Sequence, residues 1–162
     1  MAPDTLKRSV PALNDPALLR MQCYIDGGWR DADDGATAPV VNPATGQAIG
    51  TMPMCGAAET RRAIDAAAAA FPAWRALVAK DRCAIVRKWY ELMLAHAGDL
   101  ALILTSEQGK PLAEALGEVD IGGAYVEFFA EEARRVYGET IPTQRPDARL
   151  LAIKQPIGVC GA

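Results

Sequence analysis

Histidine is almost missing from this sequence: among 162 residues, His96 is the only one. Cysteine is sparse as well, with Cys23, Cys55, Cys83 and Cys160 far apart and no CxxC pair. Zinc sites of known spacing draw on clustered Cys and His, so that class is excluded and no metal-ligating residue is assigned. Charge of either sign is unremarkable, 17 basic against 20 acidic side chains giving a net −3. The densest basic stretch, Arg134, Arg135, Arg145, Arg149 and Lys154, is broken by Glu139 and Asp147. That is a solvated surface rather than a phosphate-binding patch, and nucleic acid is not an expected partner. No stretch approaches the roughly 18 apolar residues of a membrane span. The N-terminus, with Pro3, Asp4, Lys7, Arg8, Asn14 and Asp15, lacks the apolar centre of a signal peptide. The expectation is a cytoplasmic address with reduced thiols and no membrane partner.

Alanine is what the chain has in excess. The hydrophobic fraction is 51%, but 31 residues are Ala, which bring little area to a core. The larger aliphatics and ten aromatics must carry the packing. Length and composition fit one ordinary domain, or one domain with part of a second.

Three patterns follow one another along the chain. Residues 1–22, with little sustained periodicity, read as an extended or loosely helical arm. Tyr24-Ile25-Asp26-Gly27-Gly28-Trp29 reads as a strand entering a tight turn. Asp33-Asp34-Gly35 and Asn42-Pro43-Ala44-Thr45-Gly46 are further turns, separated by a strand at Val40-Val41 and followed by one over 48–52. From Gly56 the period becomes helical. Ala57 to Phe71 places Ile64, Ala67, Ala68 and Phe71 on one face, with Glu59 favoured by the helix dipole and Pro72 closing the helix. A second helix is expected over 80–97, carrying Ile85, Trp89, Leu92, Met93 and His96 on one stripe, with Gly98 as punctuation. A third carries Leu100, Ile103 and Leu104 and is capped by Gly109; a fourth starts with Pro111 in its first turn and runs to Tyr137, capped by Gly138. Gly122 and Gly123 inside that helix each cost about 1 kcal/mol relative to Ala, so something should lie close against them. Arg149 to Lys154 reads as a strand, and Ile157 to Ala162 as a small apolar strand of the kind buried in a parallel sheet. Such a strand lacks a neighbour and a covering helix within 162 residues, so the sequence reads as cut mid-fold.

No reaction centre assembles from these residues alone. Cys160 has no evident base or helix N-terminus to activate it, and reads as a small buried core Cys rather than a nucleophile. Gly158-Val159-Cys160-Gly161 is not a dinucleotide-binding fingerprint. His96 reads as packed or partly exposed rather than as a catalytic base. Glu107 and Lys110, flanking Gly109, read as capping and surface-pairing residues. Tyr125, Phe128 and Phe129 fit either a core or an apolar channel wall, which periodicity does not distinguish.

Several longer stretches carry a resemblance. Residues 24–29 and 42–46 resemble the opening of the aldehyde dehydrogenase superfamily, and Phe71-Pro72-Ala73-Trp74 resembles its F-x-x-W first helix end. Glu107-Gln108-Gly109-Lys110-Pro111-Leu112-Ala113-Glu114-Ala115, Tyr137-Gly138-Glu139-Thr140-Ile141-Pro142 and Lys154-Gln155-Pro156-Ile157-Gly158-Val159 look most like its succinate-semialdehyde dehydrogenase branch. Glutarate-semialdehyde enzymes share much of this text.

The resemblance implies the N-terminal part of an α/β fold: small antiparallel strands, about four helices, a hairpin and the start of a Rossmann-like parallel sheet. Residues 23–138 would pack on the cofactor-binding domain, 139–156 would begin an oligomerisation hairpin mediating a homo-oligomer, and 157–162 would be the first strand of the cofactor sheet. The implied activity is oxidation of a small semialdehyde to the dicarboxylic acid through a Cys thioester, with NAD or NADP as acceptor. The implied substrate-tunnel positions are Ile121, Gly122 and Tyr125. The family's oxyanion-hole Asn lies in an I-x-P-W-N-F-P motif expected beyond Ala162. Its ribose-binding Lys, glycine-rich helix start, Glu base and Cys nucleophile match no position here. No catalytic and no cofactor-binding residue is therefore carried over, and the chain alone is expected to be inactive and without cofactor. The alternative is a non-catalytic helical module that associates with full-length subunits through the hairpin around Arg149 to Ile153.

Overall fold

A computed structural model describes residues 12–162. Of the expected N-terminal arm, residues 1–11 lie outside the described residues; the rest contains a short 3-10 turn at Pro16–Leu18, capped by the Asp15 side chain. Two antiparallel pairs follow. Strands β1 (Cys23–Ile25) and β2 (Gly28–Arg30) pair Ile25 with Gly28, leaving only Asp26 and Gly27 in the turn. Both have positive φ, 51° and 72°, which is the backbone twist a two-residue hairpin needs and which an Asp-Gly pair tolerates best. Strands β3 (Thr37–Val41) and β4 (Ala48–Pro53) pair with a register shift between Val40 and Val41. That irregularity turns Ile49 and Gly50 inward, and both are buried.

Four helices come next: α1 (Ala57–Ala76), α2 (Ala79–Ala95), α3 (Ala97–Gln108) and α4 (Leu112–Glu132). The helix count matches the sequence reading, but several ends do not. Pro72 lies inside α1 rather than closing it. Proline's φ suits a helix, and its missing N–H forfeits one bond while the chain continues for four more residues. The break between α2 and α3 falls at His96, whose φ of −111° and ψ of 14° are not helical, so Gly98 sits within α3. Pro111 precedes α4 as its N-cap instead of standing in its first turn. Helix α4 stops at Glu132, five residues before Tyr137, and Gly138 is not its cap. Arg134 and Arg135 donate to the carbonyls of Glu131 and Glu132, three residues back, which tightens the chain out of the α-helix.

Gly109 is the C-cap of α3 as expected, with φ of 81°. A Cβ there would also come within 2.6 Å of Pro43 Cγ. The Asn42–Gly46 turn, closed by Ala44 N–H on Asn42 Oδ1, therefore rests directly on the end of α3.

Helix α4 packs against α2 and α3. Ala101, Ala115 and Val119 form the buried cluster, with Ala97, Leu100 and Leu104 against it. Gly123 is buried because the Tyr90 ring of α2 lies over it, and Gly122 faces Met93. The two mid-helix glycines thus have the close neighbours that their cost in α4 called for. Among the described residues no large side chain is fully buried; the sealed hydrophobic positions are Ala32, Ile49, Ala101, Ala115, Val119 and Ala130.

The last strands, β5 (Glu139–Ile141) and β6 (Leu150–Ala152), form an antiparallel hairpin exposed along its length. The strand expected over Arg149 to Lys154 is thus three residues long. Among the described residues, 157–162 pair with no strand, and Ile157 is 94% exposed. Cys160 is exposed too, contrary to its reading as a core Cys. A buried parallel strand exists only where neighbours accept its backbone hydrogen bonds, and the described residues bring none alongside.

Candidate functional site

The face of α4 turned away from α2 is the candidate site. Ile121, Tyr125 and Phe128 recur at intervals of four and three, which places them on one stripe. They remain exposed, Tyr125 by 64%, whereas Val119, Gly123 and Ala130 seal the opposite side of the same helix. With Ala124 and Phe129 they line a shallow depression of about 370 Å³. The Phe128 and Phe129 rings meet edge to face with centroids 5.3 Å apart. Lining of this kind presents mainly apolar area, with the Tyr125 hydroxyl its one polar side-chain group, so it can hold an apolar surface or the body of a small molecule.

Of the tunnel positions expected from sequence, the structure brings Ile121 and Tyr125 together and leaves Gly122 on the neighbouring face against Met93. Phe128 and Phe129, open to either core or wall from periodicity, are on the exposed wall. Ala124 was not singled out; its place three residues after Ile121 is the signal that would have found it.

Two carboxylates anchor the scaffold elsewhere in the chain. Glu59, in the first turn of α1, accepts from Gly56 N–H through Oε2 at 2.9 Å and from Asp33 N–H through Oε1 at 2.8 Å. These backbone donors hold its carboxyl below the usual range despite burial. Asp33 in turn takes a bidentate pair of 2.7 Å bonds from Arg62, which lowers its own pKa. Asp99, in the first turn of α3, accepts from the backbone N–H groups of Asn14 and Asp15 and from the Asn14 amide. Its pKa is lowered by those backbone bonds first, with His96 adding a smaller attraction. His96 therefore stands at the α2–α3 junction rather than on the α2 stripe. Lys110 pairs with Glu118, nearly two turns into α4, as expected of a pairing residue, but its side chain is largely covered rather than on the surface.

Burial pushes Cys55 up, and so do Cys23, Glu59 and Asp33 beside it. No group of three His, Cys, Asp or Glu side chains among the described residues is placed to hold a metal ion.

Comparison with known proteins decides what this scaffold belongs to. The sequence profile of the aldehyde dehydrogenase family matches residues 29–162. The chain belongs to the aldehyde dehydrogenase family. It is 59% identical over 150 residues to a glutarate-semialdehyde dehydrogenase of Pseudomonas putida, an alignment covering 93% of this chain and 31% of that one. With a succinate-semialdehyde dehydrogenase [NADP(+)] of Escherichia coli the identity is 55% over the same shares. The crystal structure of succinate-semialdehyde dehydrogenase from Burkholderia pseudomallei superposes with a TM-score of 0.90 at 54% identity, over 92% of this chain and 31% of that one. The chain thus spans about a third of the length of its aldehyde dehydrogenase relatives, and matches the N-terminal part of the aldehyde dehydrogenase fold.

Proposed function

We propose that these residues are the N-terminal scaffold of an aldehyde dehydrogenase that oxidises succinate or glutarate semialdehyde to the dicarboxylate. The hydride acceptor is NADP or NAD, and the thioester-forming Cys lies outside residues 1–162. The observation that carries the reading is the 55–59% identity to relatives named for these two semialdehydes. Within the proposal, residues 23–138 pack on the cofactor-binding domain and 157–162 supply the first strand of its sheet. A cytoplasmic location belongs to the same reading; no helix among the described residues is long and apolar enough to cross a membrane.

The test compares two proteins. The 162-residue chain, mixed with succinate or glutarate semialdehyde and NADP or NAD, should generate no reduced cofactor. A polypeptide extended to the length of the relatives should do so, with a higher kcat/KM for ω-carboxylated aldehydes than for uncharged ones of equal length. Turnover by the short chain, or equal kcat/KM for both aldehyde classes, overturns the reading.

The open stripe of α4 is read here as tunnel wall. In the extended polypeptide, Ile121→Trp should raise KM for the aldehyde by roughly tenfold, about 1.4 kcal/mol of lost binding. An unchanged KM removes Ile121 from the tunnel.

The hairpin favours a second reading, association with other copies. Leu151 and Ile153 are 72% and 74% exposed, and the outer edge of β6 pairs with no strand among the described residues. Residues 139–156 would then mediate a homo-oligomer, or dock this chain as a non-catalytic module on full-length subunits. Co-elution with an intact homologue on size exclusion supports docking, and separate elution argues against it.

A further inference from the structure

Cys23 and Cys55 are 32 residues apart in sequence, yet their Sγ atoms lie 3.8 Å from each other. Cys23 opens β1, and Cys55 stands between the end of β4 and the Gly56 cap of α1. Both side chains are half-buried and both are free thiols. No other sulfur among the described residues is paired in this way. We propose that Cys23 and Cys55 form a reversible intrachain disulfide on exposure to hydrogen peroxide, a modification site independent of the dehydrogenase reading.

A disulfide needs its sulfurs about 2 Å apart, so side-chain rotation has to close a gap smaller than about 2 Å. One thiolate attacks a peroxide oxygen, breaking the O–O bond to give a sulfenic acid and hydroxide, which takes the released proton as water. The second thiol then attacks that sulfur. The S–S bond forms as the S–O bond breaks, and the hydroxyl leaves with the thiol proton as a second water. Two electrons pass from the thiols to peroxide, and a dithiol reductant reverses the step. Cys55 is held as the thiol by burial and by Cys23, Glu59 and Asp33, with Arg62 the cation on the same side. Once formed, the bond ties the β1–β2 hairpin to the start of α1, at the place where Glu59 already holds Asp33 N–H.

The test uses the full chain. After peroxide treatment and alkylation, non-reducing peptide mapping should find a Cys23–Cys55 cross-linked peptide lacking two hydrogens, with Cys83 and Cys160 alkylated. Its rate of formation should not change over a tenfold range of protein concentration, because the partner thiol is already in contact. The oxidised chain should melt roughly 5–10 °C above the reduced one. Dithiothreitol should restore the reduced mobility and melting point, and Cys83→Ser with Cys160→Ser should leave the cross-link intact. Recovery of Cys23 and Cys55 as separately alkylated or over-oxidised residues, or cross-linking that scales with protein concentration, overturns the proposal.

Discussion

Asp99 and Glu59 show how much of this scaffold hangs on single carboxylates. Each stands in the first turn of a helix and accepts backbone N–H groups from a segment earlier in the chain, Asn14 and Asp15 for one, Asp33 for the other. Backbone bonds of this kind favour the ionised form, so each group binds its proton less readily folded than unfolded. The stabilisation is therefore complete above the ordinary values of 3.8 for Asp and 4.5 for Glu, and fades as pH falls toward the lowered folded values. Asp99→Asn should lower the melting temperature at pH 7, and the gap from the unsubstituted chain should narrow as pH is taken below about 4. A gap that stays constant with pH would remove the charge from the account. Glu59 was visible in the sequence, since an acid in the first turn has a local reason to be there. The partners of Asp99, 84 and 85 residues away, were not, because a backbone N–H leaves no mark in the residue type that carries it.

Element boundaries follow from hydrogen bonds more than from residue preference, and α1 is the clearest case. Pro72 in its last turn and a half forfeits the bond that an N–H would make to Ala68 and crowds that carbonyl, yet α1 continues to Ala76. Pro72→Ala should restore the bond and raise unfolding stability by roughly 2 kcal/mol, read as a higher denaturant midpoint with an unchanged slope. A lower midpoint would mean that the proline ring packs productively in the last turn. In α4 the balance is different. Val119 is its most buried branched side chain, between Ala115 and Gly123 on the inner face. Val119→Ala deletes two buried methyl groups and should cost about 2 kcal/mol in the same denaturation experiment. Tyr125, Phe128 and Phe129 stood out in the sequence as large aromatics, but periodicity did not say whether they would be covered. The structure settles that: Tyr90 and Met93 of α2 lie against Gly123 and Gly122, so α2 takes the glycine side and the aromatics stay outside.

At the scale of the whole molecule, the family and the order of elements were readable because turns such as Asp26-Gly27 and Asn42–Gly46 and caps such as Gly109 are local chemistry. The behaviour of 157–162 was not, since an apolar run becomes a strand only when other strands accept its hydrogen bonds. The abundance of alanine, first met as a figure of composition, returns as the character of the interior. Of the six sealed hydrophobic positions among the described residues, four are alanine, while Trp89, Tyr125, Phe128, Phe129 and Leu151 face outward. Large side chains that are already wet in the folded chain gain little further contact with water when it melts. Heat capacity reports that change directly. An ordinary chain of 162 residues takes up about 2 kcal/mol/K on unfolding, and scanning calorimetry of the isolated chain should find a step well below that. The same chain should therefore have a flatter stability curve than its length implies, its stability changing little between a cold room and body temperature.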